Sequence, residues 1–241
     1  MKKNLKVLGI IGIRSGSIGV KDKNIKNFSG KPLVAWIIST AIKSNYVNRI
    51  VVSTDSKKYM KIVNNFGAET PYLRPKALAE YDSPEIDYVK HMLNWLSMKE
   101  NYIPDYVVRM MATVPFQNAN DVDALIDILI NNPDADSAVV ISEARQHPMK
   151  ALKIIQKNGT KELVSYFGES SRDVTPIARE TYPKAYFRSN VIACKASVIT
   201  AKGSLTGDKV LFHEIPQERA LDIDSEADFR MAENLSELDL L

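Results

Sequence analysis

Cysteine is almost absent from this sequence of 241 residues, in which Cys194 is the single example. One cysteine excludes a disulfide framework and a cysteine-rich metal site within the chain. Because its neighbours at 191–193 are apolar, we predict a buried strand thiol rather than a nucleophile. Histidine is scarce too, and His91, His147 and His213 have no metal-ligand spacing. We interpret all three as structural or surface residues.

Charge of one sign and long apolar runs are also lacking. The formal net charge of +3 is too small to indicate nucleic-acid binding, and no stretch is long and apolar enough to span a membrane. The basic start followed by an apolar run resembles a signal peptide, but Arg14 interrupts the run and no small-residue cleavage site follows. We therefore expect a cytoplasmic protein that binds neither nucleic acid nor a membrane.

Short apolar runs alternate with segments of helical periodicity over the first 141 residues. Strands are predicted at 5–13, 49–53, 105–111 and 137–141, and helices at 32–44, 57–66, 85–96 and 120–129. This β–α alternation predicts an α/β fold of Rossmann-like, three-layer type: an open, mostly parallel sheet with helices on both faces.

The alternation fails between about 145 and 183, where strand-like pieces at 151–155 and 163–167 lie among polar turns. We interpret this segment as an inserted β-rich dimerisation arm within a single domain of residues 1–241. Strands at 185–194 and 209–215 and a helix at 225–235 resume the regular pattern. An arm of this kind exposes strand edges that a second copy can cover, so we expect a homodimer.

The loop after the first strand, at 14–24, has glycines, serines and a cation at each end. Ligands of open α/β sheets bind at the carboxyl ends of strands, and such a loop can hold a triphosphate. It contains neither a Walker motif nor a Gly-x-Gly-x-x-Gly fingerprint. The alternative is a flexible basic surface turn.

Asp222 and Asp224 are separated by one residue near the end of the chain. In an extended segment their carboxylates share a face and can meet one hard cation such as Mg²⁺. The alternative is that Asp224 or Ser225 caps the last helix while Asp222 is solvated.

The first loop resembles the Arg-Gly-Gly-Ser-Lys-Gly-x-x-x-Lys-Asn signature of acylneuraminate cytidylyltransferases, also called CMP-sialic acid synthetases. The matching residues are Arg14, Gly16, Ser17, Gly19, Lys23 and Asn24. In that family the loop holds the phosphates of CTP, so the resemblance implies nucleotide contacts by Arg14, Ser15, Gly16, Ser17, Lys23 and Asn24. Ile18 departs from the pattern, because the family has a lysine there.

The same family ends in Asp-Ile-Asp-Thr/Ser-x-x-Asp, which holds the metal, and Asp222, Asp224 and Asp228 match this pattern. The resemblance thus implies Mg²⁺ on Asp222 and Asp224. It also implies that Arg74 approaches the cytosine and that Ser83 lies near the nucleotide, although Arg74 taken alone indicates an exposed loop arginine.

The sugar site is implied by two further matches. His147 to Lys150 resembles the family's His-Pro-x-Lys, and the pattern from Arg179 to Asn190 resembles its Arg-x-x-x-Pro-x-x-Phe-Arg-x-Asn with one residue more. By this match Lys150, Arg179 and Asn190 line the sugar site, and a lysine with an arginine fork suits an α-keto acid carboxylate. Met111 replaces a glutamine placed near the sugar, and Gln117 replaces an arginine.

The resemblance implies a seven-stranded sheet, a swapped dimerisation arm and direct transfer of CMP from CTP to the anomeric hydroxyl of an acidic nonulosonic sugar. Arg14, Lys23, Asp222 and Asp224 are its implied catalytic residues. Two alternatives remain: a metal-dependent sugar-nucleotide glycosyltransferase that uses Asp-x-Asp, and a non-catalytic nucleotide-binding relative. Neuraminic, legionaminic, pseudaminic and related eight-carbon acids are all open as the sugar.

Overall fold

A computed structural model describes residues 5–16, 19–167 and 181–238. Three residues discussed above, Ser17, Ile18 and Arg179, lie outside the described residues. The chain divides into two compact units, one formed by Met1–Ile141 with Arg188–Leu241 and the other by Ser142–Phe187. The second unit covers the segment in which the sequence predicts an inserted arm.

Ten strands and six α-helices occur in the described part of the chain. The strands are β1 (Val7–Gly12), β2 (Asn27–Phe28), β3 (Lys31–Pro32), β4 (Arg49–Ser53), β5 (Tyr106–Met110), β6 (Ser137–Glu143), β7 (Leu152–Lys157), β8 (Thr160–Ser165), β9 (Tyr186–Lys195) and β10 (Val210–Glu214). The helices are α1 (Leu33–Lys43), α2 (Lys57–Asn64), α3 (Glu85–Glu100), α4 (Ala119–Asn131), α5 (Ala196–Lys202) and α6 (Glu226–Ser236). Every predicted helix is present; α5 is additional.

The main sheet has the strand order β10-β6-β9-β5-β1-β4. β1 is parallel to β4 and β5, β10 is parallel to β6, and β9 is antiparallel to β5. The mostly parallel sheet is thus confirmed. Six strands form this sheet among the described residues, not the seven that the resemblance implies, because Glu69 and Leu73 add only isolated bridges beside β4.

Successive side chains of β1 enter two different core clusters. Val7 and Ile11 pack with α1 and α4, whereas Leu8 and Ile10 pack with α3 and α5. A strand covered on both faces must be apolar at nearly every position, which explains the continuous run in the sequence. The three-layer α/β class is confirmed. None of the helices in the described segments is long and apolar enough to cross a membrane.

The second unit contains a hairpin of β7 and β8 joined at Asn158 and Gly159, which both have positive φ. Such a two-residue turn fixes the register of the strands beside it. β8 therefore begins at Thr160, three residues earlier than the predicted 163–167 strand, and Phe167 lies beyond its end. Cys194 in β9 is 1% exposed, as predicted.

Candidate active site

A cavity of about 500 Å³ lies at the carboxyl ends of β1 and β5. Its lining includes six predicted site residues, namely Arg14, Lys23, Asn24, Arg74, Ser83 and Asp224. A larger cavity of about 1,030 Å³ lies at the amino ends of these strands, near Leu5 and Tyr106, and none of the predicted site residues lines it. The smaller cavity is the candidate site, because the cations and a carboxylate converge there.

The loop after β1 folds back on itself and passes close to the last aspartates. The Asn24 side chain donates a hydrogen bond to the Arg14 carbonyl at 3.2 Å, and the Arg14 guanidinium lies 5.3 Å from the centre of the Tyr81 ring. At Gly19, a Cβ atom would come within 2.1 Å of the Asp224 carbonyl oxygen. A glycine is therefore required where the loop meets the Asp224 backbone.

Lys23 connects the loop to the Asp-Ile-Asp segment, 200 residues further along the chain. Its ammonium donates to the Ile223 carbonyl at 2.5 Å and to Asp224 Oδ1 at 2.9 Å. The Lys23 side chain is only 12% exposed, whereas that of Asp224 is 78% exposed. The two functional motifs therefore meet at one largely buried cation.

Ile223 is fully buried in an aromatic cluster with Phe28, Phe116 and Phe229. Its backbone N–H donates to the Thr113 carbonyl at 2.9 Å. Burial of this central side chain fixes the direction of the carboxylates on either side of it.

Asp222 is an unusual carboxylate. Its Oδ2 accepts a hydrogen bond from the Asn190 side chain, whereas its buried Oδ1 has no hydrogen-bond partner. Burial raises the pKa of Asp222, the charge of Asp224 adds to this effect, and the charge of Lys23 opposes it. A buried carboxylate oxygen without a partner is costly, and a bound cation would satisfy it. Asp222 and Asp224 thus fit a site for Mg²⁺.

Asp228, the third aspartate of the motif, belongs to the start of α6. Ser225 is the N-cap, and Asp228 Oδ2 accepts hydrogen bonds from the Ser225 amide at 2.8 Å and hydroxyl at 2.7 Å. The capping alternative is therefore right for Ser225, and the expected solvation of Asp222 is wrong because that side chain is largely buried.

Arg74 is 6% exposed, so the interpretation of an exposed loop arginine is wrong. Its guanidinium donates to the Ser53 hydroxyl at 2.9 Å and carbonyl at 2.6 Å, and lies 4.3 Å from the centre of the Tyr88 ring. The Tyr88 ring packs where a Gly12 Cβ would lie, only 2.4 Å away. Arg74 and Tyr88 thus form a rigid wall of the cavity. Ser83, on the same wall, donates to the Ala77 carbonyl at 3.0 Å.

Other predicted residues are not among those that line the cavity. The Ser15 amide and hydroxyl both donate hydrogen bonds to Asp55. A Cβ atom at Gly16 would have no other heavy atom within 4 Å. Asn190 contacts Asp222. Lys150 is exposed in the second unit. Arg179, the third residue proposed to line the sugar site, lies outside the described residues.

Arg109 was missed by the sequence reasoning. This β5 side chain is 2% exposed; it donates to the Asn190 carbonyl at 3.0 Å and pairs with Glu85, on the cavity wall, at 3.2 Å. It therefore supports the strand that presents Asn190 to Asp222. The available signal was a charged residue inside a predicted strand of a sheet with helices on both faces.

Met111 and Gln117, the two departures from the family pattern in the middle of the chain, lie in different surroundings. Met111 lines the cavity and is only partly buried, so it is not a simple core residue. Gln117 is 2% exposed and its amide contacts the Ser189 hydroxyl. Met111 therefore belongs to the wall of the site, and Gln117 to the interior behind it.

The histidines make local contacts. His91 bonds the Tyr72 hydroxyl at 2.8 Å, His147 stacks on Tyr182, and His213 lies 3.3 Å from Asp121. Within the described segments, no group of three His, Cys, Asp or Glu side chains is placed to hold a metal ion. Any metal here would thus need ligands from the substrate or water besides Asp222 and Asp224.

Comparison with known proteins identifies the family of this chain. A family model described as cytidylyltransferase matches residues 8–217. The post-translational flagellin modification protein B of Campylobacter coli is 26% identical over 95% of this chain and 94% of its own length. The N-acylneuraminate cytidylyltransferase of Escherichia coli O18:K1:H7 is also 26% identical, over 94% of this chain, which spans 51% of that protein.

A solved structure of CMP:2-keto-3-deoxy-manno-octonic acid synthetase complexed with CTP shares the fold, with a TM-score of 0.70 at 15% identity, over 97% of this chain and 99% of that one. The resemblance to acylneuraminate cytidylyltransferases is confirmed by the family match and by relatives of that name. The chain belongs to the cytidylyltransferase family and is a nucleotidyltransferase.

Proposed function

We propose that this enzyme transfers CMP from CTP to the anomeric hydroxyl of an acidic, sialic-acid-like sugar and releases pyrophosphate. The observation that carries the proposal is the contact of Lys23 with Ile223 and Asp224, which brings the phosphate loop and the acidic segment to one cavity. Relatives named for N-acylneuraminate and, at 33% identity over 53% of this chain, for pseudaminic acid support an acidic sugar.

In this mechanism Arg14 and Lys23 hold the phosphates of CTP, and Asn24 keeps the loop closed on Arg14. The sugar hydroxyl oxygen forms a bond to the α-phosphorus in line with the leaving group. The bond from the α-phosphorus to the pyrophosphate oxygen breaks, and the hydroxyl proton is released. Positioning and charge stabilisation supply most of the rate increase in transfers of this type.

Mg²⁺ is the cofactor we propose, held by Asp222 and Asp224 together with substrate oxygens. When bound, it would offset the charge that develops on the phosphates. Asp224→Asn should lose most of the activity and weaken Mg²⁺ binding measured by calorimetry, with an unchanged circular dichroism spectrum. Glu226→Gln, which removes a nearby exposed carboxylate, is the control. Wild-type turnover and Mg²⁺ dependence in Asp224→Asn would exclude this assignment.

Lys150, Arg179 and Asn190 remain proposed contacts of the acidic sugar. The supporting observation in the described structure is the link from Asn190 to Asp222. Arg179→Ala should raise the sugar KM at least tenfold while CTP affinity stays unchanged, and Arg179→Lys should recover only part of the loss because an ammonium lacks the fork. Equal sugar kinetics in Arg179→Ala and wild type would remove Arg179 from the site.

A homodimer formed through the arm is also part of the proposal. On one face of the β7–β8 hairpin, Leu152, Ile154 and Leu163 are 40%, 69% and 48% exposed. A contiguous exposed apolar patch often marks a surface that contacts a partner. We also propose a cytoplasmic location.

The direct test is pyrophosphate release from CTP in the presence of a panel of acidic nonulosonic and octulosonic acids. We expect release with at least one sugar and none with UTP. Transfer from a sugar nucleotide to an acceptor, without pyrophosphate, would favour a glycosyltransferase. Tight CTP binding with no turnover on any sugar would favour a non-catalytic relative.

A further inference from the structure

Two carboxylates hold the two ends of the loop after β1. Asp55, in the turn after β4, accepts hydrogen bonds from the Ser15 amide at 2.9 Å and from its hydroxyl at 2.7 Å. Asp22, near the other end, accepts from the Tyr59 hydroxyl at 2.9 Å and from the Lys58 ammonium at 3.0 Å. Both ends of the loop are therefore attached to the start of α2.

The anchor at Tyr59 is rigid. Tyr59 is 1% exposed, and its amide donates to Ser56, the N-cap of α2. Burial, together with the hydrogen bond to Asp22, raises the pKa of the Tyr59 hydroxyl, which therefore stays a donor. Asp22 has a φ of 53°, a left-handed conformation that costs about 1 kcal/mol or more outside glycine. Its two side-chain hydrogen bonds oppose that cost.

The loop residue at each attachment point, Ser15 or Asp22, is next in sequence to a cation that lines the cavity. Ser15 follows Arg14, and Asp22 precedes Lys23, and both cations line the cavity. A shift of either anchor would therefore move one of these side chains directly. Catalytic and binding groups lose much of their effect when displaced by about 1 Å.

Asp22 and Asp55 are carboxylates, and a carboxylate close to bound phosphates repels those phosphates. Asp22 has a counter-ion in Lys58, and hydrogen bonds from Lys58 and Tyr59 hold its pKa below the usual value. Asp55 uses both oxygens on Ser15. Asp55 therefore accepts hydrogen bonds from the loop, whereas Asp22 belongs to the loop and accepts hydrogen bonds from α2.

We propose that Asp55 and the Asp22–Tyr59 pair are positioning residues that hold Arg14 and Lys23 towards the phosphates of the bound nucleotide. This inference rests on the proposed function. It makes Ser15 an anchor of the loop instead of a phosphate ligand.

The test compares Asp55→Asn and Tyr59→Phe with Tyr46→Phe. Tyr46 also bonds an aspartate, Asp127, but it lies outside the candidate cavity. Calorimetry would give the Kd values of CTP and CMP, and thermal melting would report stability. We expect the first two variants to raise the Kd of CTP about tenfold, that of CMP much less, and Tyr46→Phe to change neither.

A merely structural role for the anchors would lower the melting temperature and leave the ratio of CTP to CMP affinity at its wild-type value, and that result overturns the inference. If Tyr59→Phe does not fold, Asp22→Asn tests the same anchor while keeping one acceptor oxygen. Absence of CTP binding in the wild type would overturn the proposed function and this inference together. CTP binding and pyrophosphate release with an unchanged ratio in Asp55→Asn and Asp22→Asn would overturn the inference alone.

Discussion

Lys23, in the first loop, and Lys26, two residues after that loop, contact the last part of the chain in different ways. Lys23 is largely buried and contacts Ile223 and Asp224. Lys26 pairs with Glu226 at 2.9 Å and lies over an aromatic ring, with its side chain 37% exposed. Exposed ion pairs contribute about 0–1 kcal/mol, whereas a buried cation next to reacting phosphates contributes much more. The two residues therefore allow a matched comparison.

Lys23→Met should lower kcat/KM for CTP about 100-fold or more, because removal of one electrostatic donor to a developing charge costs that much in other enzymes. Lys26→Met should stay within about threefold of wild type. Steady-state kinetics with pyrophosphate detection would measure both. Equal losses in the two variants would mean that Lys23 acts only on the stability of the loop.

At the scale of elements, the Asp136 carboxylate, directly before β6, binds both the end of α5 and the loop before β10. Asp136 accepts hydrogen bonds from the Lys202 ammonium at 2.7 Å and the Asp208 amide at 2.6 Å. The backbone turns at Gly207, where φ is 66° and a Cβ would lie 2.5 Å from Asp136. The hydrogen bond from Lys202 and then that from Asp208 lower the pKa of Asp136 from its ordinary 3.8 to about 2.

Because the folded-state pKa of Asp136 is depressed, its contribution to stability is fully present above pH 3.8 and is lost as the pH falls through about 2. Asp136→Asn should therefore unfold at lower urea concentration than wild type at pH 7. The difference between the two proteins should shrink as the pH falls below 3.8. A constant difference down to pH 2 would contradict the role of the ionised carboxylate.

At the scale of the whole molecule, an aromatic cluster brings distant parts of the chain together beneath the acidic segment. The Phe28 ring lies 6.1 Å from that of Phe116 and 5.7 Å from that of Phe229, in edge-on geometry. Ile223 belongs to the same cluster, so the packing of three separate segments orients Asp222 and Asp224.

Phe28→Ala should lower the free energy of unfolding by about 3–5 kcal/mol, the usual cost of truncating a buried phenylalanine. Activity per folded molecule should fall as well, because Ile223 loses a packing partner. Phe212→Ala, at a ring that is 59% exposed, should cost less than about 1 kcal/mol. Urea denaturation of both variants would check the contrast, and similar losses would argue against the cluster.

The proposed dimer has its own test. Ile154→Asp places a charge on the apolar face of the hairpin, where burial against a partner would be strongly unfavourable. Sedimentation at micromolar concentration should show a dimer for wild type and a monomer for Ile154→Asp. Met98→Asp, at a helix position that is 79% exposed, should stay dimeric. A monomeric wild type would contradict the assembly.

Much of the fold could be predicted because its signals are local. Apolar runs predicted β1 and β4, and helical periodicity predicted α2 and α4, which Ser56 and Asn118 cap in the structure. α5 was not predicted, because its seven residues follow β9 directly and are too few to show a helical periodicity distinct from the pattern of the strand. The start of β8 was missed because the turn at Asn158 and Gly159, not the apolar pattern, fixes it.

The sequence was enough to identify the family and to predict the loop and the last aspartates as parts of the site, because these are short motifs within one segment. The burial of Arg74, the pairing of Lys23 with Asp224 and the support of Asp222 by Arg109 through Asn190 required the tertiary structure. A hydrogen bond between side chains 200 residues apart depends on how the sheet and its helices pack. A local sequence pattern does not predict which residues 200 positions apart come into contact. Only the folded chain determines which charges face one another and that Asp222 Oδ1 is left without a hydrogen-bond partner.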